Sequence, residues 1–148
     1  MSDYYVRFIP EVINTSLNEH ETDLIERLHW GVSIPKSIFS DRILLADAGL
    51  NFETVKCPFC KANLMEWWGS AMSSAYSEDY GFQELAITTP CCSKVTSLHN
   101  LEYDLPQGFY RTMIEVMPGV NSQIRAYEIA DKLLEITGIN WRIVHARY

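Results

Sequence analysis

Hydrophobic and polar residues alternate near both ends of the chain, with the period of a β-strand. Tyr4, Val6 and Phe8 fall on one face of an extended segment that Pro10 ends. Residues 110–116 alternate in the same way. On this basis four strands are predicted, at residues 4–9, 42–46, 110–116 and 141–146. The last of these is apolar on both faces, which predicts a central place in the sheet.

Hydrophobic residues recur with the period of a helix between the first and second predicted strands and again between the third and fourth. The first helix is predicted at about 18–30, where Asn18 and Glu21 have the spacing of a capping box. The second is predicted at about 122–137 and is followed by Gly138. The residues predicted to face inward are Leu24, Ile25 and Leu28 in the first helix, and Ile124, Tyr127, Ala130, Leu133 and Leu134 in the second.

Both ends of the chain therefore have the order strand–helix–strand. This order predicts an α+β fold made of two ferredoxin-like strand-helix-strand halves, with the helices packed on one face of the sheet. We expect a single domain spanning residues 1–148. Residues 52–106 form a predicted insertion between the halves. The insertion contains a predicted helix at about 63–76 and two short strands near 84–88 and 94–98.

Charge and composition narrow the classes of partner. The net charge of −7 disfavours nucleic acid and anionic membranes, because both present phosphate groups, and it favours a basic protein partner. No apolar run reaches the ~18 residues of a membrane span. The first residues lack the basic and apolar segments of a signal peptide. A cytoplasmic location is therefore expected.

All four cysteines lie in two short clusters, Cys57-Pro58-Phe59-Cys60 and Cys91-Cys92. A two-residue spacer lets both sulfurs of the first cluster reach one zinc ion at ~2.3 Å, and the second cluster supplies the remaining pair. We therefore predict zinc held by Cys57, Cys60, Cys91 and Cys92. An alternative is that only one of the adjacent cysteines binds, with His99 or water completing the site.

Four thiolate ligands would leave no open position for activated water, so the predicted zinc is structural. The four histidines are scattered along the chain, and no candidate nucleophile stands at a recognisable spacing from any of them. The segment His20-Glu21-Thr22-Asp23-Leu24 begins like a metalloprotease motif, but Leu24 stands where the second histidine is required. We therefore expect a protein that is not an enzyme.

Two other interpretations of the cysteines stay open. They could be free thiols or form two disulfides, although a cytoplasmic setting disfavours stable disulfides. They could also form a glutaredoxin-like redox centre, with Cys57 as nucleophile, Cys60 as resolving thiol and Thr88-Thr89-Pro90 as the cis-proline segment. The stretch from Cys60 to Pro90 has room for one helix and one strand, which is too little for that fold. The alternative function is thus a thiol oxidoreductase or metal-sensing protein that uses Cys57 and Cys60.

Five motifs in this order resemble a widespread family of small, uncharacterised bacterial zinc-ribbon proteins. They are Tyr5-Val6-Arg7-Phe8-Ile9-Pro10, Cys57-Pro58-Phe59-Cys60, Glu66-Trp67-Trp68, Thr88-Thr89-Pro90-Cys91-Cys92 and Pro106-Gln107-Gly108-Phe109. The resemblance covers nearly the whole chain and implies metal binding by the four cysteines. The chain departs from the family pattern at Ser93-Lys94, where Gly-Ala is expected, and between residues 30 and 52, where it is shorter.

The resemblance implies no activity, because the family has none assigned. Small size, acidic charge and the lack of a catalytic constellation instead suggest an immunity protein. Such a protein binds and blocks a basic toxin domain, commonly a nuclease, of a contact-dependent inhibition or secretion system. We therefore expect a non-catalytic zinc-binding protein whose partner is a basic toxin domain.

Overall fold

The computed structural model describes residues 3–30, 35–49, 52–118 and 125–148. It is a mixed α/β fold, with three α-helices in these ranges and a mostly antiparallel sheet. In chain order the elements are β1 (Tyr4–Pro10), α1 (Glu19–Glu26), β2 (Lys36–Ala46), β3 (Val55–Lys56), α2 (Met65–Ala75), β4 (Tyr76–Ser77), β5 (Gly81–Phe82), β6 (Ala86–Thr88), β7 (Val95–Ser97), a 3₁₀ turn (Leu98–Asn100), β8 (Glu102–Tyr103), β9 (Gly108–Val116), α3 (Ala126–Thr137) and β10 (Trp141–Arg147).

Six strands form the main sheet in the order β10-β1-β9-β2-β5-β4, and every neighbouring pair is antiparallel. The prediction of a central place for residues 141–146 is wrong, because β10 lies at the edge. Its two-sided apolar pattern has another cause. Trp141 packs in the core on one face of the sheet and Val144 in the core on the other, so even this edge strand is covered on both faces.

Strand β2 begins at Lys36, six residues before the predicted start. A register shift between Phe39 and Leu44 marks an irregularity in its pairing with β9. The Arg111 side chain supports this irregular stretch by donating to the Asp41 carbonyl at 2.6 Å. This irregularity interrupts the alternation of faces in the middle of β2, so the strand as a whole carries no continuous period-two signal in the sequence.

Helices α1 and α3 pack together over one face of the sheet. The capping box of α1 is confirmed, since the Asn18 side chain accepts from the Glu21 backbone N–H and the Glu21 carboxylate accepts from the Asn18 N–H. The helix ends at Glu26, before the predicted position. Trp30 lies beyond the helix, and its indole N–H donates to the Ile25 carbonyl at 2.9 Å.

The predicted inner face of α3 is only partly correct. Leu133 is fully buried, but Tyr127 is 81% exposed and Leu134 is 38% exposed. The inner stripe instead runs through Ala126 and Ile129 to Leu133, which is an i, i+3, i+7 pattern. Ile124, predicted to face inward as well, lies outside the described residues, as does the predicted start of the helix at 122. Gly138 ends the helix in the left-handed conformation, as predicted.

A second core packs against residues 52–106, which carry the four cysteines and which we call the cysteine-bearing segment. It contains the buried residues Ile43, Val55, Cys57, Leu64, Leu85, Leu98, Leu101 and Phe109, with α2 packed against it. The segment is joined to the main sheet, because β5 pairs with β2 through Ile43 and Phe82. The two short predicted strands are found as the hairpin of β6 and β7. In the described ranges no helix has the length and apolar character to cross a membrane.

Candidate metal centre

The two cysteine clusters lie in two loops of nearly the same backbone conformation. In the first, Cys57 N donates to Ala62 O at 2.9 Å and Lys61 N to Cys57 O at 3.0 Å. In the second, at the tip of the β6–β7 hairpin, Thr89 N donates to Lys94 O at 2.8 Å and Ser93 N to Thr89 O at 2.9 Å. The fifth residue has positive φ in both, 65° at Lys61 and 57° at Ser93. We call residues 57–62 and 89–94 the first and second knuckles.

The knuckles bring the four sulfurs together. All four Sγ atoms lie within 4.8 Å of one another. Cys57 and Cys92 are 3.7 Å apart, Cys60 and Cys91 are 3.3 Å apart, and Cys91 and Cys92 are 3.9 Å apart. A tetrahedron with metal–sulfur bonds of ~2.3 Å has edges of about 3.8 Å. The cluster is therefore of the right size to hold a metal ion.

The four thiols differ in their tendency to lose a proton. Burial by itself raises the pKa of the Cys57 thiol. The Cys57 sulfur also accepts hydrogen bonds from the backbone N–H groups of Cys60 and Phe59 and from the thiols of Cys91 and Cys92. These hydrogen bonds outweigh burial and lower the pKa of Cys57 to about 6. Burial and the neighbouring sulfurs raise the pKa of Cys91 to about 12. Four thiols this close cannot all ionise without a cation, which is the behaviour expected of a metal-binding cluster.

Each knuckle carries a lysine whose ammonium group contacts a residue of the first knuckle. The Lys61 ammonium pairs with the Glu102 carboxylate and donates to the Pro58 carbonyl at 3.3 Å. The Lys94 ammonium lies 5.1 Å from the centre of the Phe59 ring. The Lys61 ammonium is thus paired with a carboxylate, and the Lys94 ammonium lies over an aromatic ring of the first knuckle.

Sequence reasoning missed the role of Thr89. In the second knuckle Thr89 stands where the first knuckle has Cys57, and Cys92 stands where the first has Cys60. The Thr89 hydroxyl lies 3.3 Å from Cys92 Sγ and accepts from Lys94 N at 3.0 Å. The signal was in the sequence, because both loops have proline at the second position and cysteine at the fourth. Cys91 occupies the third position, which is Phe59 in the first knuckle.

His99, the alternative ligand, is not part of the sulfur cluster, since the clustered ligand atoms of the described residues are those of the four cysteines alone. It is a buried structural residue whose Nδ1 accepts from Phe109 N at 2.9 Å. The proton of the neutral ring is therefore on Nε2, which lies 3.8 Å from Glu11 Oε2. Burial, followed by the nearby Arg142 charge, lowers the pKa of His99 to about 4.

Arg142 completes this polar contact between the sheet and the cysteine-bearing segment. Its guanidinium donates to both Glu11 oxygens, at 2.9 and 2.6 Å, and to the carbonyls of His99 and Gln107, at 3.0 and 2.7 Å. Because Arg142 lies on β10 and Glu11 directly follows β1, one side chain joins both strands to the 3₁₀ turn that carries His99. We call this group, Glu11, His99, Gln107 and Arg142, the arginine clamp.

The exposure of the thiols argues against a redox centre built on Cys57. In such a centre the attacking thiol is accessible and the resolving thiol is covered. Here Cys57 is completely buried and Cys60 is exposed. The peptide bond before Pro90 is trans, unlike that of the cis-proline segment it was compared with. The geometry thus suits shared metal ligation better than attack by Cys57.

No protein-family model, curated protein or solved structure matches this chain. The resemblance of its motifs to zinc-ribbon proteins therefore stays a prediction. Assignment of a function rests on the sulfur cluster, its surroundings and the charge of the chain.

Proposed function

We propose that the chain is a non-catalytic zinc protein, in which Cys57, Cys60, Cys91 and Cys92 hold one structural ion. The observation that carries this proposal is the set of four sulfurs within 4.8 Å of one another. An all-thiolate tetrahedral site suits zinc or iron, and zinc needs no redox chemistry for a structural role. The ion would join the two knuckles, which otherwise belong to separate short β-pairs, β3 with β8 and β6 with β7.

Metal analysis of protein purified under reducing conditions tests this proposal. We expect about one zinc per chain, and we expect a thiol reagent to modify the four cysteines more slowly with zinc bound than after the metal is removed. Cys57→Ser should lower both zinc content and the temperature of unfolding, because zinc binding contributes ~10–16 kcal/mol in isolated finger peptides. Ser73→Ala, at an exposed position of α2, is the matched control and should change neither. Iron in place of zinc, or a stable metal-free protein, would contradict the proposal.

The proposed architecture is a ferredoxin-like frame with a zinc ribbon inserted between its halves. In a sheet made of two interleaved strand–helix–strand halves, the two strands of each half are separated by one strand of the other half. The observed order β10-β1-β9-β2 supports this arrangement, because β9 separates β1 from β2 and β1 separates β9 from β10. In this proposal the ribbon consists of the two knuckles and the short strands that carry them.

For the biological role we propose binding to a basic protein domain, most concretely a toxin domain that this chain neutralises as an immunity protein. The net charge of −7 supports the sign of the partner's charge. A cleft between α1 and β2 is lined by Glu19, Asp23, Glu26 and Phe39, and the Phe39 ring is 55% exposed. An exposed aromatic ring beside acidic side chains suits a basic partner that also buries apolar surface.

The test takes as candidate partner any toxin-like domain that the genome encodes beside this gene, and the lack of such a domain counts against the role. Titration calorimetry should show binding that weakens as salt is added. The double variant Asp23→Lys/Glu26→Lys should lower the association rate by about tenfold or more. The control Glu128→Lys/Glu135→Lys makes the same charge change on α3 and should have a smaller effect. Failure to bind any neighbouring toxin domain would overturn this role and leave the zinc proposal intact.

A further inference from the structure

The four cysteine residues divide into a covered pair and an exposed pair. Cys57 is completely buried and Cys92 is half-buried, whereas Cys60 and Cys91 are exposed. The sulfurs of the two exposed cysteines are also the closer together, at 3.3 Å compared with 3.7 Å for Cys57 and Cys92. One side of the centre is therefore formed by two exposed cysteines, each contributed by a different knuckle.

The knuckle comparison shows why Cys91 differs from the other three. A knuckle normally supplies its ligands from its first and fourth positions, and these positions hold Cys57, Cys60 and Cys92. In the first knuckle, backbone N–H groups donate to Cys57 Sγ, with Phe59 N at 3.4 Å. Cys91 stands at the third position. The hydrogen bonds described for its sulfur are to other sulfurs. Cys91 is thus the one proposed ligand that stands outside the first and fourth positions of its knuckle.

We propose that Cys60 and Cys91 form an oxidant-sensitive pair, which a hydroperoxide converts to a disulfide with release of the metal. This inference rests on the proposed zinc centre. An exposed thiolate beside a second thiol is the arrangement in which peroxide oxidation proceeds to a disulfide. The covered pair, Cys57 and Cys92, keeps its thiols and so preserves half of the site for the metal to return.

The step is balanced by one hydroperoxide molecule. In the zinc-loaded chain Cys91 would be a thiolate, and it attacks one oxygen of hydrogen peroxide. The O–O bond breaks, Cys91 becomes a sulfenic acid, and the hydroxide that leaves takes a proton from solvent to become water. The Cys60 thiolate then attacks Cys91 Sγ, the S–S bond forms, and the sulfenic oxygen leaves as hydroxide, which takes a second proton from solvent to become water. Each sulfur loses one electron, and the two peroxide oxygens gain these two electrons. With two of its four ligands lost, the metal dissociates.

The experiment treats the zinc-loaded wild-type chain with hydrogen peroxide and follows zinc release with a metallochromic indicator. Peptide mapping by mass spectrometry then locates the cross-link. We expect about one zinc released per disulfide formed, a link between Cys60 and Cys91, and recovery of zinc binding after dithiothreitol and fresh zinc. Sulfoxide at the exposed Met117 is an internal control that the oxidant reached the protein.

Alkylation of the zinc-loaded chain is a second measurement that needs no variant. N-ethylmaleimide should modify Cys91 and Cys60 before Cys57 and Cys92. The inference would be overturned if N-ethylmaleimide modified all four cysteines equally. It would also be overturned if peroxide linked Cys57 to Cys92 or Cys91 to Cys92, or if all the zinc stayed bound after peroxide. A reduced chain that never contains zinc would overturn the proposed centre itself, so the two failures are distinguishable.

Discussion

Replacing His99 by asparagine tests how the arginine clamp stabilises the contact between the sheet and the cysteine-bearing segment. His99 accepts a hydrogen bond from Phe109 N through Nδ1, and asparagine Oδ1 retains an acceptor at the corresponding position while removing the titratable ring. The charged groups facing the ring are the Glu11 carboxylate, 3.8 Å away, and the Arg142 guanidinium. Burial and the Arg142 charge together disfavour protonation.

The magnitude follows from the pKa of His99, which is 6.5 in the unfolded chain and about 4 in the folded protein. Between these two values the unfolded chain binds more protons than the folded one, so stability is fully present above pH 6.5 and is lost as the pH falls towards 4. From pH ~7.5 to pH ~5 this single group accounts for about 2 kcal/mol of lost stability.

The assay is urea unfolding of the wild type and His99→Asn at both pH values, with zinc in excess. Competition of protons for the thiolates affects both chains, so the informative quantity is the difference between them. The wild type should lose about 2 kcal/mol more than the variant on acidification. Glu11, whose pKa Arg142 lowers against the effect of burial, stays ionised at pH ~5 and does not blur the comparison. Parallel pH profiles for the two chains would refute a neutral buried His99.

Three further substitutions test the packing and the helix caps. Gly108→Ala should destabilise the fold by about 1–3 kcal/mol in thermal unfolding, because the new methyl would lie 2.6 Å from an Arg142 nitrogen and 2.8 Å from two His99 ring atoms. Gly69→Ala, the matched control within α2, meets no atom within 4 Å and should stabilise by about 0.5–1 kcal/mol; a loss of stability would contradict this view of α2. Asn18→Ala removes the capping box of α1 and should cost about 1 kcal/mol in urea unfolding, whereas an unchanged midpoint would show that the cap is not required.

Features that depend only on residues close together in the sequence were determined by the sequence alone. The capping box at Asn18, the alternation of Tyr4, Val6 and Phe8, and the glycine after α3 were predicted correctly, because each reflects the backbone conformation of a few consecutive residues. The two cysteine clusters belong to the same class. The two-residue spacing lets the sulfurs of Cys57 and Cys60 reach one ion, whereas only the tertiary structure brings this loop next to the loop of Cys91 and Cys92.

Only the tertiary structure decided how these pieces are arranged. The sequence could not show that β10 is an edge strand, since an edge strand covered on both faces has the same apolar pattern as a central one. Nor could it show that Tyr127 faces outward or that His99 belongs to the clamp and not to the sulfur cluster. The split of the thiols into a buried Cys57 and an exposed Cys91 has the same origin. Burial depends on residues distant in sequence, and local spacing does not encode it.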